Sequence, residues 1–247
     1  MKILIDTNIF FDFYRSNNQT LNIFNELINH SDKIIITDQI IQEFDRSRES
    51  VIKKVKDNFQ KESKLESFSS SYLQNLAEFN ELIDIQKAYK LKLKEVNAKI
   101  EEILNDSTKD PIATFFKEFV NESMANNRVL FTTDEILRKA NERKLKGNPP
   151  VSDKYSIGDE INWEIVISNI KEDIIIVGRD NTFNNNMTFL KKDFHKNTGH
   201  FIIGLTESIT KALQKAGIET SPELIEEENK FIEEIKHFNE FWKHVTL

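Results

Sequence analysis

The clearest pattern along the chain is a set of short, apolar, largely β-branched runs separated by longer stretches with helical periodicity. Runs at residues 2–6, 34–36, 173–178 and 201–205 predict strands. Apolar residues recur every three or four positions up to about residue 29, after residue 39 and after residue 158, and residues 206–216 and 222–244 also read as helices. Strands that alternate with helices predict an α/β fold with a parallel sheet and right-handed crossovers.

A long stretch from about residue 46 to residue 146 has helical periodicity throughout and no strand signal. Its apolar stripe predicts an antiparallel helical hairpin in which these residues serve packing. Gly147-Asn148-Pro149-Pro150 predicts the end of the helical segment. The stripe consists of Leu82, Ile85, Tyr89, Leu93, Val96, Ile100 and Ile103.

Length and composition narrow the class of protein. The chain has 247 residues, which fits one large domain or a core with a substantial insertion. It has no Cys, which excludes disulfide frameworks, thiolate metal sites and Cys nucleophiles. No signal-peptide pattern and no window of membrane-spanning length occurs, so we expect a cytoplasmic protein with no membrane association.

The charge is unevenly distributed. The formal net charge is −7, which taken alone argues against a nucleic-acid-binding protein. However, basic residues concentrate in the middle third of the chain, while Glu residues concentrate in the C-terminal tail. Both groups also fit solvated helix faces. Net charge therefore does not decide the function.

Four acidic residues stand where a parallel sheet binds ligands, at the carboxyl ends of its strands. Asp6 and Asp180 follow apolar runs, Glu43 lies early in the helix after the second strand, and Asp159 opens a helix after Gly158. Four converging carboxylates repel one another unless a cation joins them, and oxygen-only ligands suit Mg²⁺ or Mn²⁺. This arrangement predicts metal-assisted hydrolysis of a phosphodiester. Taken singly, each acid also fits a helix cap, a turn or an exposed helix position.

The same segments resemble the motifs of a known family. Asp6-Thr7-Asn8, followed by Ile9 to Asp12, resembles the opening signature of PIN domains. Residues 37–44 resemble the second acidic motif of that family, Gly158-Asp159 the third, and Gly178-Arg179-Asp180 the fourth. Residues 143–164 are similar to a subgroup of larger bacterial PIN-like proteins.

The resemblance implies a three-layer α/β/α PIN-like fold with a central parallel sheet. It implies one domain over residues 1–247, with a helical insertion at about 46–142 and a C-terminal helical tail at about 206–247. It further implies an Mg²⁺ or Mn²⁺ site at the four acids and a nuclease that commonly acts on RNA. Asn8 would orient Asp6, and Arg143 and Lys154 would contact phosphate, although a turn residue and two surface charges fit these positions as well.

Three functional hypotheses remain open on the sequence. The leading one is an endoribonuclease that acts on RNA or single-stranded nucleic acid as a toxin or anti-phage effector, with an antitoxin, an ATPase or a second copy as partner. The second is a structure-specific DNA nuclease, as in the related flap-endonuclease fold. The third is a non-catalytic scaffold that binds protein or RNA. Gly-rich phosphate loops, Gly-x-Ser-x-Gly elbows and His-Glu-x-x-His motifs are absent from the sequence, so other hydrolase classes are disfavoured.

Overall fold

The structure, a computed structural model, describes residues 1–15, 22–65, 70–150, 156–179 and 181–245. The chain divides into two compact units. The first, which we call the sheet unit, combines Met1–Ser47 with Phe115–Leu247. The second, which we call the arm unit, is Arg48–Thr114.

The sheet unit is built on a sheet of parallel strands in the order β3-β2-β1-β4-β5. The Ile and Val side chains of β2 and β4 are buried along the whole strand, as expected for a sheet covered on both faces. The predicted parallel sheet is confirmed. The strands are β1 (Lys2–Ile5), β2 (Ile34–Thr37), β3 (Val129–Leu130), β4 (Ile174–Val177) and β5 (Ile202–Thr206).

Helices form the connections between the strands. In the sheet unit, α7 contacts α6 and α9, and α11 contacts α2 and α10. No helix of the described ranges combines the length and the apolar character needed to cross a membrane. The helices are α1 (Thr7–Asp12), α2 (Asn22–Asn29), α3 (Asp38–Glu62), α4 (Ala77–Asn105), α5 (Pro111–Ala125), α6 (Asp134–Leu145), α7 (Gly158–Asn169), α8 (Asn181–Asn184), α9 (Met187–Thr198), α10 (Ile209–Lys215) and α11 (Pro222–Val245).

The strand order contains one reversal, between β1 and β4. From β1 the chain steps outward to β2 and then β3, after which it returns to pair β4 with the other side of β1. Right-handed crossovers in opposite directions place their helices on opposite faces, which gives the three layers. A crevice therefore opens between the carboxyl ends of β1 and β4, where open α/β sheets bind ligands.

An aromatic core supports α1. Phe10 packs against the rings of Phe24 and Phe116, with centroid separations of 6.1 Å and 5.1 Å. Phe44 of α3 stacks on Phe116 at 3.9 Å. Because these rings are buried and interlocked, the elements that carry Asp6 and Glu43 are joined by packing as well as by the sheet.

The arm unit is an antiparallel pair formed by the later part of α3 and by α4. Gln60 donates a hydrogen bond to Asn97 at 2.9 Å, and the Tyr89 hydroxyl donates to the Ser63 carbonyl at 3.0 Å. Arg48 and Asp110 form a buried ion pair at 2.6 Å. The apolar stripe of α4 is only partly covered, since Leu82, Ile85, Tyr89 and Val96 are exposed.

The arm unit is shorter than the insertion expected at 46–142. Residues 115–142 belong to the sheet unit, because Phe116 and Phe119 enter its aromatic core and β3 pairs with β2. The sequence predicts helix throughout this stretch, and at β3 that prediction is wrong. β3 escapes sequence analysis because a strand of only two residues shows no alternation of apolar and polar positions.

Candidate active site

Asp6 lies at the reversal point of the sheet. The Asp6 amide donates to the Val177 carbonyl of β4 at 2.9 Å. A Cβ atom added to Gly178 would lie 3.8 Å from the Cβ atom of Asp6. Asp6 occupies the N-cap position of α1, yet its side chain makes no capping hydrogen bond. The carboxylate is thus half-buried at the carboxyl ends of β1 and β4 without serving α1 as a cap.

Glu43 is held at the same place by the residue that follows Asp6. Thr7 is buried, and its hydroxyl donates to Glu43 Oε2 at 2.9 Å. Asn8 Nδ2 donates to Asp6 Oδ2 at 3.2 Å, the contact expected from the resemblance. Thr7 therefore orients Glu43, and Asn8 orients Asp6. Both side chains lie in the turn from β1 into α1, so this turn orients two of the predicted acids.

The first turn of α7 brings Asp159 towards the start of α3. Thr37 Oγ1 accepts a hydrogen bond from the Ile40 amide at 3.0 Å and donates one to Asn162 of α7 at 2.5 Å. A Cβ added to Gly158 would lie only 2.7 Å from Gln39 Nε2, so the two helix starts approach closely because residue 158 is glycine. Asp159, half-buried, follows directly.

Two of the predicted site residues, Asp180 and Lys154, lie outside the described residues. Across the ranges that the structure describes, no group of three or more His, Cys, Asp or Glu side chains is close enough to hold a metal ion. Asp6 and Glu43 are brought together through Thr7, and Asp159 lies beside the same helix start. The complete ligand set, with Asp180, stays a prediction.

A buried ion network fixes the segment that leads to Asp180. Arg179 Nη1 donates to Asp12 Oδ2 at 2.6 Å, and Arg15 Nη1 donates to Asp12 Oδ1 at 2.8 Å. The Arg179 guanidinium also lies over the Phe231 ring of α11, 5.0 Å from its centroid. Burial raises the pKa of Asp12 above its ordinary value although both Arg residues act to lower it.

Sequence analysis missed this network, but the chain carries a signal for it. Asp12 stands among Ile9, Phe10, Phe11 and Phe13, and an ionisable residue inside a buried apolar run requires a partner. The identity of the partner depends on the pairing of β1 with β4, because Arg179 follows β4 and Asp12 ends the helix that follows β1. No local pattern contains that information.

Arg143 is enclosed by protein acceptors. Its side chain is only 7% exposed, and it donates to Glu164 at 2.7 Å, to the Pro149 carbonyl at 2.7 Å and to Asp193 at 2.8 Å. The Trp163 indole donates to the same Asp193 oxygen at 2.8 Å. These bonds join α6, α7 and α9, and the phosphate contact that we predicted for Arg143 stays a prediction.

Lys144, next to Arg143, forms a further ion pair between α6 and the first turn of α7. Lys144 Nζ lies 3.2 Å from Glu160 Oε1, and Glu160 is fully buried next to Asp159. The side chains of Glu160 and Glu164 lie one helical turn apart on α7 and face two consecutive cations of α6. These two ion pairs therefore help to fix α7, whose first turn carries Asp159.

The comparison with protein families decides the identity of this fold. The family model for the PIN domain matches residues 3–183, which include all four predicted acids. The chain belongs to the PIN domain family. PIN domains are generally nucleases, and they typically use divalent metal ions. No curated protein and no solved structure matches this chain.

The donor chemistry of this PIN domain fits such an ion. Asp6, Glu43 and Asp159 offer half-buried carboxylate oxygens at one end of the sheet, and hard divalent cations prefer oxygen ligands. Thr7 occupies one oxygen of Glu43, and Asn8 contacts one oxygen of Asp6. Outer hydrogen bonds of this kind orient metal ligands.

Proposed function

We propose that this PIN domain is a divalent-metal-dependent endonuclease that hydrolyses phosphodiester bonds, with RNA as its main substrate and Mg²⁺ or Mn²⁺ as its cofactor. The observation that best supports the proposal is the bond from Thr7 to Glu43 beside Asp6, at the reversal point of the sheet. Two acids from distant parts of the chain are each oriented there by a side chain that follows Asp6.

In the proposal, Asp6, Glu43, Asp159 and Asp180 hold the ion. Such an ion, when bound, supplies Lewis-acid stabilisation of the charge that develops on a phosphoryl group. Thr7 and Asn8 keep Glu43 and Asp6 aligned. Arg179, which precedes Asp180 in the sequence, is itself bound to Asp12, and the ion pairs of α6 with α7 support the helix that carries Asp159.

The decisive test compares Asp6→Asn with Asp32→Asn. Asp32 is the matched control because it lies in the turn before β2, at the opposite end of the sheet, and pairs only loosely with Lys33 at 3.4 Å. Single-stranded RNA, single-stranded DNA and branched DNA duplexes are incubated with each protein in Mn²⁺. We expect RNA to be cleaved most efficiently and Asp6→Asn to lose about 100-fold or more in rate, since ion ligation contributes several kcal/mol.

Each class of function predicts a different result. Preferred cleavage of the branched duplex would favour the structure-specific DNA nuclease. If the wild type, Asp6→Asn and Asp32→Asn all showed the same background level of cleavage, the result would contradict the metal site and favour the non-catalytic scaffold.

The cellular role that we propose is that of a toxin or anti-phage effector, held in check by a partner such as an antitoxin or an ATPase. It rests on the proposed nuclease activity. Growth arrest on expression of the wild type, absent with Asp6→Asn and retained with Asp32→Asn, would support it. Normal growth with active nuclease in the cell would contradict it.

A further inference from the structure

Phe131 presents an exposed aromatic ring at the same end of the sheet as the acids. It directly follows β3, and its side chain is 58% exposed, the largest exposure of any Phe in the described part of the sheet unit. β3 is the second strand from β1, and adjacent strands are about 4.8 Å apart, so the ring is carried roughly 10 Å from the Asp6 end of β1. That separation is within the reach of a bound single strand.

The backbone on both sides of Phe131 is fixed. On one side, Leu130 pairs with Thr37 of β2 and packs against the apolar cluster between α6 and α7. On the other side, Asp38 accepts hydrogen bonds from the Thr132 amide at 2.9 Å and from its hydroxyl at 2.8 Å. Because this backbone is already fixed, it loses little conformational freedom when the ring that it carries binds a flat ligand.

A second exposed ring, that of Phe201, lies at the opposite end of the sheet. Phe201 is 55% exposed, but it precedes β5 and therefore lies at the amino ends of the strands, where its ring stacks on His195 at 4.5 Å. Phe131 has no aromatic partner among the described residues. Of these two rings, Phe131 alone combines an open face with the carboxyl end of the sheet.

We propose that Phe131 is a base-stacking platform that binds an unpaired nucleobase of the substrate beside the acidic site. Bases stack on aromatic side chains in proteins that bind single strands, and this contact tolerates any sequence because every base has a π-face. A base in a duplex is stacked between its neighbours and cannot reach the ring. The inference rests on the proposed function and deepens it, because it makes the substrate single-stranded near the cleaved bond.

Binding measured without cleavage tests the platform. Kd for a fluorescein-labelled single-stranded 12-mer RNA is measured by anisotropy in the Asp6→Asn background, with Phe131→Ala, Phe131→Trp and Phe201→Ala added singly. We expect Phe131→Ala to weaken binding about 5- to 100-fold, the range seen when a stacking ring is truncated. Phe131→Trp should restore binding, and Phe201→Ala should change Kd less than about 2-fold.

Two further measurements exclude an indirect effect. Thermal unfolding should be nearly unchanged in Phe131→Ala, because the ring is largely exposed. The second measurement uses a series of RNAs in which a single abasic nucleotide is moved along the strand. At one position, the missing base should weaken binding to the parent protein as much as Phe131→Ala does. The same abasic RNA should bind Phe131→Ala no more weakly than intact RNA does. Binding of the fully paired duplex should be insensitive to Phe131→Ala.

Equal Kd values for the Ala, Trp and parent proteins, or equal losses in Phe131→Ala and Phe201→Ala, would overturn the platform. These outcomes are independent of catalysis, because the Asp6→Asn background is used throughout. If Phe131→Ala weakens binding while the wild type cleaves nothing in Mn²⁺, the platform stands and the proposed nuclease activity fails.

Discussion

The two units of this chain are stabilised in different ways. The sheet unit buries whole strands of Ile and Val together with interlocked Phe rings, and it contains buried ion networks such as that of Arg143. The arm unit instead leaves much of its apolar stripe exposed, with Ile85 at 66%. Its α4 surface carries exposed pairs such as Lys92–Glu95 at 2.6 Å.

The difference shows where the chain requires precise geometry. Carboxylates that share an ion must be held to fractions of an ångström, and close packing with locked hydrogen bonds achieves this. All described residues of the candidate site belong to the sheet unit. The arm unit carries no described part of that site, so its stability can be lower without loss of the geometry at Asp6.

The largest effect should follow truncation of the aromatic core. Phe24 is fully buried and contacts the rings of Phe10 and Phe13 at 6.1 Å and 4.4 Å. Phe24→Ala should lower the free energy of unfolding of the sheet unit by about 3–5 kcal/mol, because it removes buried contacts and leaves a cavity. Urea denaturation followed by Trp fluorescence, which reports on buried Trp163, measures the change.

Ile85→Ala is the matched truncation in the arm unit. Because Ile85 is mostly exposed, the free energy of unfolding of the arm unit should change by no more than about 0.5 kcal/mol. A comparable loss in both variants would mean that the stripe of α4 is covered in solution, and the contrast between the two units would fail.

A smaller effect is expected where a charged side chain, rather than a buried ring, is replaced. Arg143→Lys keeps the positive charge but cannot reach Glu164, Asp193 and the Pro149 carbonyl together, so about 2 kcal/mol should be lost. The exposed pair of the arm unit supplies the control, since Lys92→Ala should cost less than about 1 kcal/mol.

This variant also tests the phosphate contact predicted for Arg143. If Arg143 acts only through α6, α7 and α9, Arg143→Lys lowers Tm while KM for RNA stays within about 2-fold of the wild-type value. A large rise in KM at unchanged Tm would instead favour direct contact with phosphate.

Four of the five strands, and the place of Asp6 directly after β1, could be predicted from sequence because the signals are local. The β-branched runs of β2 and β4 favour buried strands, and an acid directly after such a strand lies at the edge of the sheet. Local patterns therefore predict Asp6 and Glu43 at the same end of the sheet, where the Thr7 hydroxyl donates to Glu43. The partners of those acids, Thr7 and Asn8, stand next to Asp6 in the chain.

What sequence analysis could not provide depends on contacts between distant segments. Arg143 looks like one of many surface cations, and only the packing of α6 on α7 buries it beside Glu164. Arg179 and Asp12 are distant in sequence and meet because β4 pairs with β1. Phe131 continues a helical pattern in the sequence, and only the pairing of β3 with β2 places it at the sheet edge.

The smallest predicted effect is an opposite response of two acids to pH. Burial raises the pKa of Asp12 above its ordinary value of 3.8, whereas hydrogen bonds from Lys109 and Lys99 lower the pKa of Glu102 from 4.5 to about 2. Above pH 3.8, the folded state keeps a proton on Asp12 that the unfolded chain releases, so its contribution to stability falls as pH rises through the raised pKa. The contribution of Glu102 is fully present above pH 4.5 and is lost as pH falls from 4.5 towards 2.

Urea denaturation between about pH 2 and pH 6 isolates these contributions when each variant is subtracted from the wild type. For Asp12→Asn the difference in unfolding free energy should decrease with rising pH, and for Glu102→Gln it should increase. If these differences changed with pH in the same direction, the distinction between the buried Asp12 of α1 and the solvated Glu102 of the arm unit would be contradicted. Because Glu102 is exposed, its slope should also weaken in about 1 M salt, while that of Asp12 should persist.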